Sequence, residues 1–142
     1  MRKRTIARET VLKILYQKEI TRRDLQKTIE EYREREGEMD SEAQEFATRL
    51  VYGVDRNMEA IDQKISEYAT NWQLKRMAVI DRNILRLGVF ELKYAPDIPP
   101  KVTINEMVEL AKKYGDLESS KFVNGILDKI HKTEIIKEDS PS

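Results

Sequence analysis

The chain has no cysteine, a single histidine, one tryptophan, five glycines and four prolines among 142 residues. Each scarcity excludes something. Without cysteine there is no disulfide scaffold, thiol nucleophile or cysteine zinc site, and nothing calls for an oxidising compartment. A cytoplasmic location is therefore expected. His131 follows the last apolar turn and has no second imidazole to share a metal with, and no nucleophile is paired with a base. Neither a GxxxxGK[ST] phosphate loop nor a GxGxxG turn occurs. The N-terminus is charged from Arg2 onward, with no apolar signal core, and no apolar run approaches the length of a bilayer span. These absences point away from an enzyme, a cofactor, a metal and a membrane.

What is present favours helices. Charged residues make up 37% of the chain and hydrophobic residues 39%, enough for one core. The expected class is all-α, in one compact domain. The net charge of zero hides a gradient. Residues 1–23 hold eight Lys/Arg against two Asp/Glu, 24–69 hold six against thirteen, and 70–142 hold twelve against eleven. The basic excess lies at the N-terminal end, where it suits contact with phosphates, although a merely solvated basic helix face gives the same count.

Along the chain, a first helix over about Lys3 to Ile20 has Ile6, Thr10, Val11, Ile14 and Leu15 on its apolar face. "TRRD" (Thr21–Asp24) reads as a capping box opening a second helix, and "SEAQ" (Ser41–Gln44) as another. Phe46, Leu50, Val54, Met58, Ile61, Ile65 and Tyr68 then follow at helical steps, in one long helix or two in succession. Gly53 allows a bend or a close crossing there. From Trp72 the pattern changes, and Met77 to Tyr94 is apolar on most sides, as in a central buried helix. Pro96, Pro99 and Pro100 end it. "TINE" (Thr103–Glu106) reads as a third capping box, and Gly115 closes that helix. The last helix begins near Leu117, and the polar tail after Ile136 is expected to fray.

Within the last helix, "KFVNGILDK" places Asn-Gly, a hairpin-turn pair, in an amphipathic pattern. At 100° per residue Phe122, Val123, Ile126, Leu127 and Ile130 share one side, and Lys121, Asn124, Gly125 and Asp128 the other. A turn would split the apolar stripe, so the helix is favoured at a cost of about 1 kcal/mol for glycine. Gly125 is either a tolerated surface residue or a gap left for close contact.

Taken together, "RETVLKILYQKEI", "LKRMAVIDRNILRLGVFEL", "PPKVTINEMVELAKKYG" and "SSKFVNGILDKI" resemble the NusB family of bacterial transcription antitermination factors. The likeness runs from about Arg4 to Ile130 and is weak from Leu25 to Asp40. It implies about seven helices in two packed subdomains, residues 1–70 and 71–136, followed by the tail at 137–142. It also implies a non-enzymatic role: pairing with NusE, a small-subunit ribosomal protein, and binding boxA RNA in nascent transcripts, notably of ribosomal RNA operons. The pair would help assemble an antitermination complex on RNA polymerase. A homodimer is left open. Some RNA methyltransferases carry a NusB-like domain before a catalytic one, but this chain ends soon after the resembling region.

The RNA surface implied by the resemblance comprises Arg2, Lys3, Arg4, Arg8, Tyr16, Lys121, Phe122 and Asn124, with Gly125 removing bulk where RNA or the N-terminal segment approaches. Arg8, Leu12 and Tyr16 lie along one stripe, a combination able to hold phosphate and stack a base, though a single tyrosine also serves as core. Phe122 falls on the core side of the wheel, whereas the resemblance puts it on the RNA side; a position at the edge would serve both. The candidate partner residues are Asp81, Arg82, Arg86, Glu106 and Glu109. Asp81 shares a side with Leu85, Gly88 and Leu92, where favourable placement in the first turn or a structural ion pair is the better-supported explanation. Arg82, Arg86 and Lys93 form a separate basic stripe, and capping accounts for Glu106. The competing reading is a helical protein-protein adaptor with no specific RNA binding.

Overall fold

A computed structural model describes residues 2–69 and 74–135, with Arg2 described by its backbone alone. Seven α-helices and no strand occur among the described residues. The chain divides into two compact units, Met1–Arg56 and Asn57–Ser142. The division falls at residue 57, earlier than the expected boundary near residue 70. Trp72 and the tail from Ile136 lie outside the described residues.

The first unit contains α1 (Arg2–Thr21), α2 (Leu25–Glu36) and α3 (Ser41–Arg56). Its main pairing is α1 against α3. Ala7, Val11, Ile14 and Leu15 of α1 and Phe46, Leu50 and Val54 of α3 are buried. The expected apolar face of α1 is rotated slightly: Ile6 is exposed, and Ala7 and Leu12 fill the core in its place. The capping boxes are also displaced. Asp24, the last residue of the first box, is the cap of α2, accepting from the Lys27 N–H at 2.8 Å. The Thr21 hydroxyl instead donates back to the Gln17 carbonyl within α1. Before α3, Asp40 accepts from the Glu42 N–H at 3.0 Å, a bond that holds its carboxyl below the usual aspartate value. A carboxylate wins both positions because it accepts from orphan N–H groups and also carries charge favourable at a helix N-terminus.

The second unit contains α4 (Met58–Tyr68), a 3₁₀ turn (Leu74–Arg76), α5 (Val79–Tyr94), α6 (Pro100–Tyr114), α7 (Leu117–Ile130) and a π-helical turn (His131–Ile135). The run from Ser41 to Tyr68 is thus two helices, broken at Asn57 and not at Gly53. Buried α5 packs against α4, α6 and α7, as expected of the central helix. Gly88 makes this packing close: a Cβ there would lie 2.7 Å from Leu127 Cδ1 and 3.2 Å from Met107 Cγ. The third capping box is overturned. Proline stands at the first helical position of α6, so Thr103 lies inside the helix. Fully buried, it donates to Glu91 Oε1 at 2.7 Å. That hydrogen bond helps satisfy a carboxylate in the core.

Candidate nucleic-acid interface

The basic start of α1 is already organised. Lys3 is exposed, with Asp40 at 3.5 Å and Glu42 at 3.6 Å. The guanidinium of Arg4 lies over the Phe46 ring at 4.4 Å, and that of Arg8 over the same ring at 5.1 Å. The two residues differ sharply in access: Arg4 is exposed, whereas Arg8 is 2% exposed. Tyr16 is 41% exposed, and Leu12 between them is buried. The single stripe expected for Arg8, Leu12 and Tyr16 therefore does not hold. Four residues at about 100° each advance 40° beyond a full turn, so two such steps carry Tyr16 about 80° around the helix from Arg8.

Tyr16 opens into a groove of 400 Å³ between α1 and α2, also lined by Lys13, Ile20, Tyr32 and Arg35. The Arg35 guanidinium lies 5.5 Å from the centre of the Tyr32 ring and donates to Gln17 Oε1 at 2.8 Å. Tyr32 and Arg35 fall in the segment where the family likeness is weak. Their grouping with Tyr16 depends on the pairing of α1 with α2, which no short motif announces.

In the second unit, α7 is capped by Asp116, which accepts from the Ser119 N–H at 2.8 Å, a bond that lowers the pKa of its carboxyl. Lys121, Asn124 and Gly125 are exposed, and Phe122 is half-buried. A Cβ on Gly125 would meet nothing of its own unit within 4 Å, so no intramolecular packing in that unit requires glycine there. Lys121 and Asn124 border a groove of 650 Å³ between α6 and α7.

The candidate partner residues surround the start of α5 and the face of α6. Asp81 Oδ1 is buried and has no hydrogen-bond partner among the described residues. The expected basic stripe is used internally. Arg82 donates to the carbonyls of Leu74 at 2.8 Å and Met77 at 3.1 Å, fastening the approach to α5. Arg86 grips Asp62 of α4 through both carboxylate oxygens, at 2.7 and 2.9 Å. Lys93 reaches Glu134 at 3.0 Å. Glu106 is half-buried, and exposed Glu109 faces Lys112 at 3.5 Å.

Glu134 is the hub of a cluster absent from the sequence reading. It accepts from Tyr68 at 2.6 Å and Lys93 at 3.0 Å, and lies 3.1 Å from Lys64. Burial alone would push its carboxyl up, but these partners outweigh that effect and hold it at about 2. The same carboxylate raises the pKa of Tyr68 and Lys64. It joins the π turn to α4 and α5. A glutamate in the charged end of the chain gives no local sign of this role. Among the described residues, no helix is long and apolar enough to cross a membrane, and no group of acidic or histidine side chains is arranged to hold a metal.

The profile of the NusB family matches residues 5–132. A transcription antitermination protein NusB from Citrifermentans bemidjiense is 47% identical over 145 residues, covering 97% of this chain and 100% of that protein. One from Myxococcus xanthus is 48% identical over 130 residues, covering 89% and 93%. Among solved structures, T. maritima NusB matches with a TM-score of 0.84 at 44% identity, covering 95% of this chain and 94% of that one. A chain in the crystal structure of antitermination factors NusB and NusE in complex with double-stranded RNA matches with a TM-score of 0.85 at 34% identity, covering 93% and 98%. With the profile spanning nearly all described residues and curated relatives near half identical over their full length, the chain belongs to the NusB family.

Proposed function

We propose that this chain is a cytoplasmic transcription antitermination factor that works by binding and not by catalysis, pairing with NusE and recognising boxA RNA in nascent transcripts. The observation that carries the proposal is its likeness, over 93% of its length, to a chain in an assembly of NusB, NusE and RNA. The finer reading, action on ribosomal RNA operons through a complex on RNA polymerase, extends the same role.

The chemistry of the exposed residues supports RNA contact. Lys3 and Arg4, with Arg2 beside them in sequence, supply cations for phosphates at the start of α1. Exposed Tyr16 offers a ring on which an unpaired base can stack. Lys121 and Asn124 give a cation and an amide on α7, with half-buried Phe122 beside them, and Gly125 leaves the backbone open to a partner. Arg8 serves the α1 cations from beneath, by fixing Phe46 under Arg4. For NusE, Asp81 and Glu109 are the direct contacts in this reading, with Glu106 beside them. Arg82 and Arg86 act as positioning residues that hold the start of α5.

The test is fluorescence anisotropy of a labelled boxA-like RNA and a scrambled control, titrated with the chain alone and with NusE at two salt concentrations. Preference for the boxA-like RNA, strengthened by NusE and weakened by salt, is expected. Equal binding of both RNAs with NusE present overturns the proposal and favours a helical adaptor that uses protein partners alone.

A further inference from the structure

The groove between α6 and α7 has a design that phosphate binding does not explain. The two helices are joined by only Gly115 and Asp116, so they run antiparallel as a helical hairpin. Lys101 and Lys112 lie eleven residues apart on α6. At 1.5 Å per residue, that puts them on one face about 16 Å apart. Lys121 and Lys132 have the same spacing along α7 and the π turn, so four lysines stand around the groove.

Its floor is aliphatic. Ile104 and Val108 lie half-buried along α6, and Leu117, at the start of α7, is 63% exposed. A leucine so exposed beside two other apolar side chains continues the floor to the groove's end. Asp128 is the one acidic residue lining the groove, and it pairs with Lys132 at 2.9 Å. Lys112 and Lys121 have Glu109 and Glu118 at 3.5 and 3.9 Å, exposed pairs that a better-placed anion can displace. Lys101 has no ion-pair partner among the described residues.

We propose that this groove is a docking site for an acidic amphipathic helix of a protein partner, about three turns long, with its apolar stripe on Ile104, Val108 and Leu117 and its carboxylates among the four lysines. Charge complementarity identifies the occupant, and the aliphatic floor selects protein over RNA. No Phe, Tyr or Trp lines the groove, and its one aromatic ring, the His131 imidazole, stands at the π-turn end away from Leu117, so successive unpaired bases find no run of stacking platforms along the aliphatic floor. Laying an apolar helix face into a hydrophobic groove is a recurrent mode of recognition, and the lysine rim adds selection against basic helices.

The test uses the full chain and two fluorescein-labelled helical peptides of about three turns, each with leucines at i, i+3 and i+7. One carries glutamates at both ends, and the other carries lysines in their place. The glutamate peptide is expected to bind roughly tenfold or more tighter than the lysine peptide, through complementary rather than like charge. Lys101→Glu with Lys112→Glu, both at exposed positions, should reverse this preference, and Val108→Glu should weaken both peptides. Circular dichroism melts confirm that each variant is folded. Equal binding of the two peptides, or no binding of either, overturns the proposal. So does displacement of the glutamate peptide by single-stranded RNA whose own affinity falls in the Lys101→Glu/Lys112→Glu variant. Lys121 and Asn124 border both this groove and the RNA surface proposed above, but neither substituted lysine belongs to that surface, so boxA binding by the Lys101→Glu/Lys112→Glu variant with NusE reports separately on that reading.

Discussion

Arg4 and Arg8 are one turn apart and face the same phenyl ring, yet the fold gives them different roles. Arg8, buried against Phe46, contributes packing along its stem as well as its charge, so Arg8→Ala should destabilise the chain by about 1–3 kcal/mol. Arg4→Ala should shift the melting temperature far less and weaken RNA binding instead. Thermal melts beside anisotropy on the two variants separate the roles, and equal loss of stability would refute the division. The sequence shows two basic residues four apart but not the small rotation that hides one of them. The glycines make a second contrast. Gly125→Ala adds a methyl group where its own unit leaves open space, and should stabilise the helix by about 0.5–1 kcal/mol. Gly88→Ala forces a Cβ against Leu127 and Met107 in the core, and should cost about 1–3 kcal/mol. Denaturant unfolding of the pair tests both signs. Asn-Gly draws attention in the sequence, whereas Gly88 lies unremarked in an apolar run because its constraint comes from two helices far along the chain.

At the scale of elements, the apolar periodicity anticipated most of the helices, including buried α5, but it placed their starts less well. The pattern S/T-x-x-E/Q/D says that an N-terminus is near without saying which oxygen caps it. At α2 the answer is Asp24, so Asp24→Ala should lower stability by about 1 kcal/mol and Thr21→Ala by less, as read from urea unfolding. At α6 the Pro99-Pro100 pair starts the helix early and releases Thr103 to serve Glu91. The attachment of the π turn depends on pH. The Glu134 carboxyl is held at about 2 against an ordinary 4.5, so the folded state favours its charged form. The resulting stability is fully present above about pH 4.5 and is lost as the pH falls from there towards 2. Glu134→Gln should therefore melt earlier than the parent chain at neutral pH, and the gap should narrow through that acid window. A gap that stays constant with pH would show that the carboxylate charge contributes nothing.

For the whole molecule, a net charge of zero makes long-range attraction to RNA depend on where the charges lie. Binding through the basic end of α1 should lose about 0.7 log units of affinity per tenfold rise in salt for each phosphate neutralised on a single strand, and Arg4→Glu should make that slope shallower by roughly one phosphate. Anisotropy titrations at several salt concentrations measure both, and an unchanged slope would remove Arg4 from the contact. The charge gradient was legible in the sequence, as was the family likeness carried by separated motifs. The division into units at Asn57 was not, because the apolar spacing of α3 continues into α4 without a change of period. The start of α1 also bears on how RNA would act on the protein. Its cations stand on a formed helix that is seated on α3, with Arg4 itself over Phe46, and not on a loose basic tail. RNA bound there would favour the folded state over the unfolded one, so recognition and folding of the first unit become one linked equilibrium, in which any change that loosens α1 from α3 weakens RNA binding without altering a single charge.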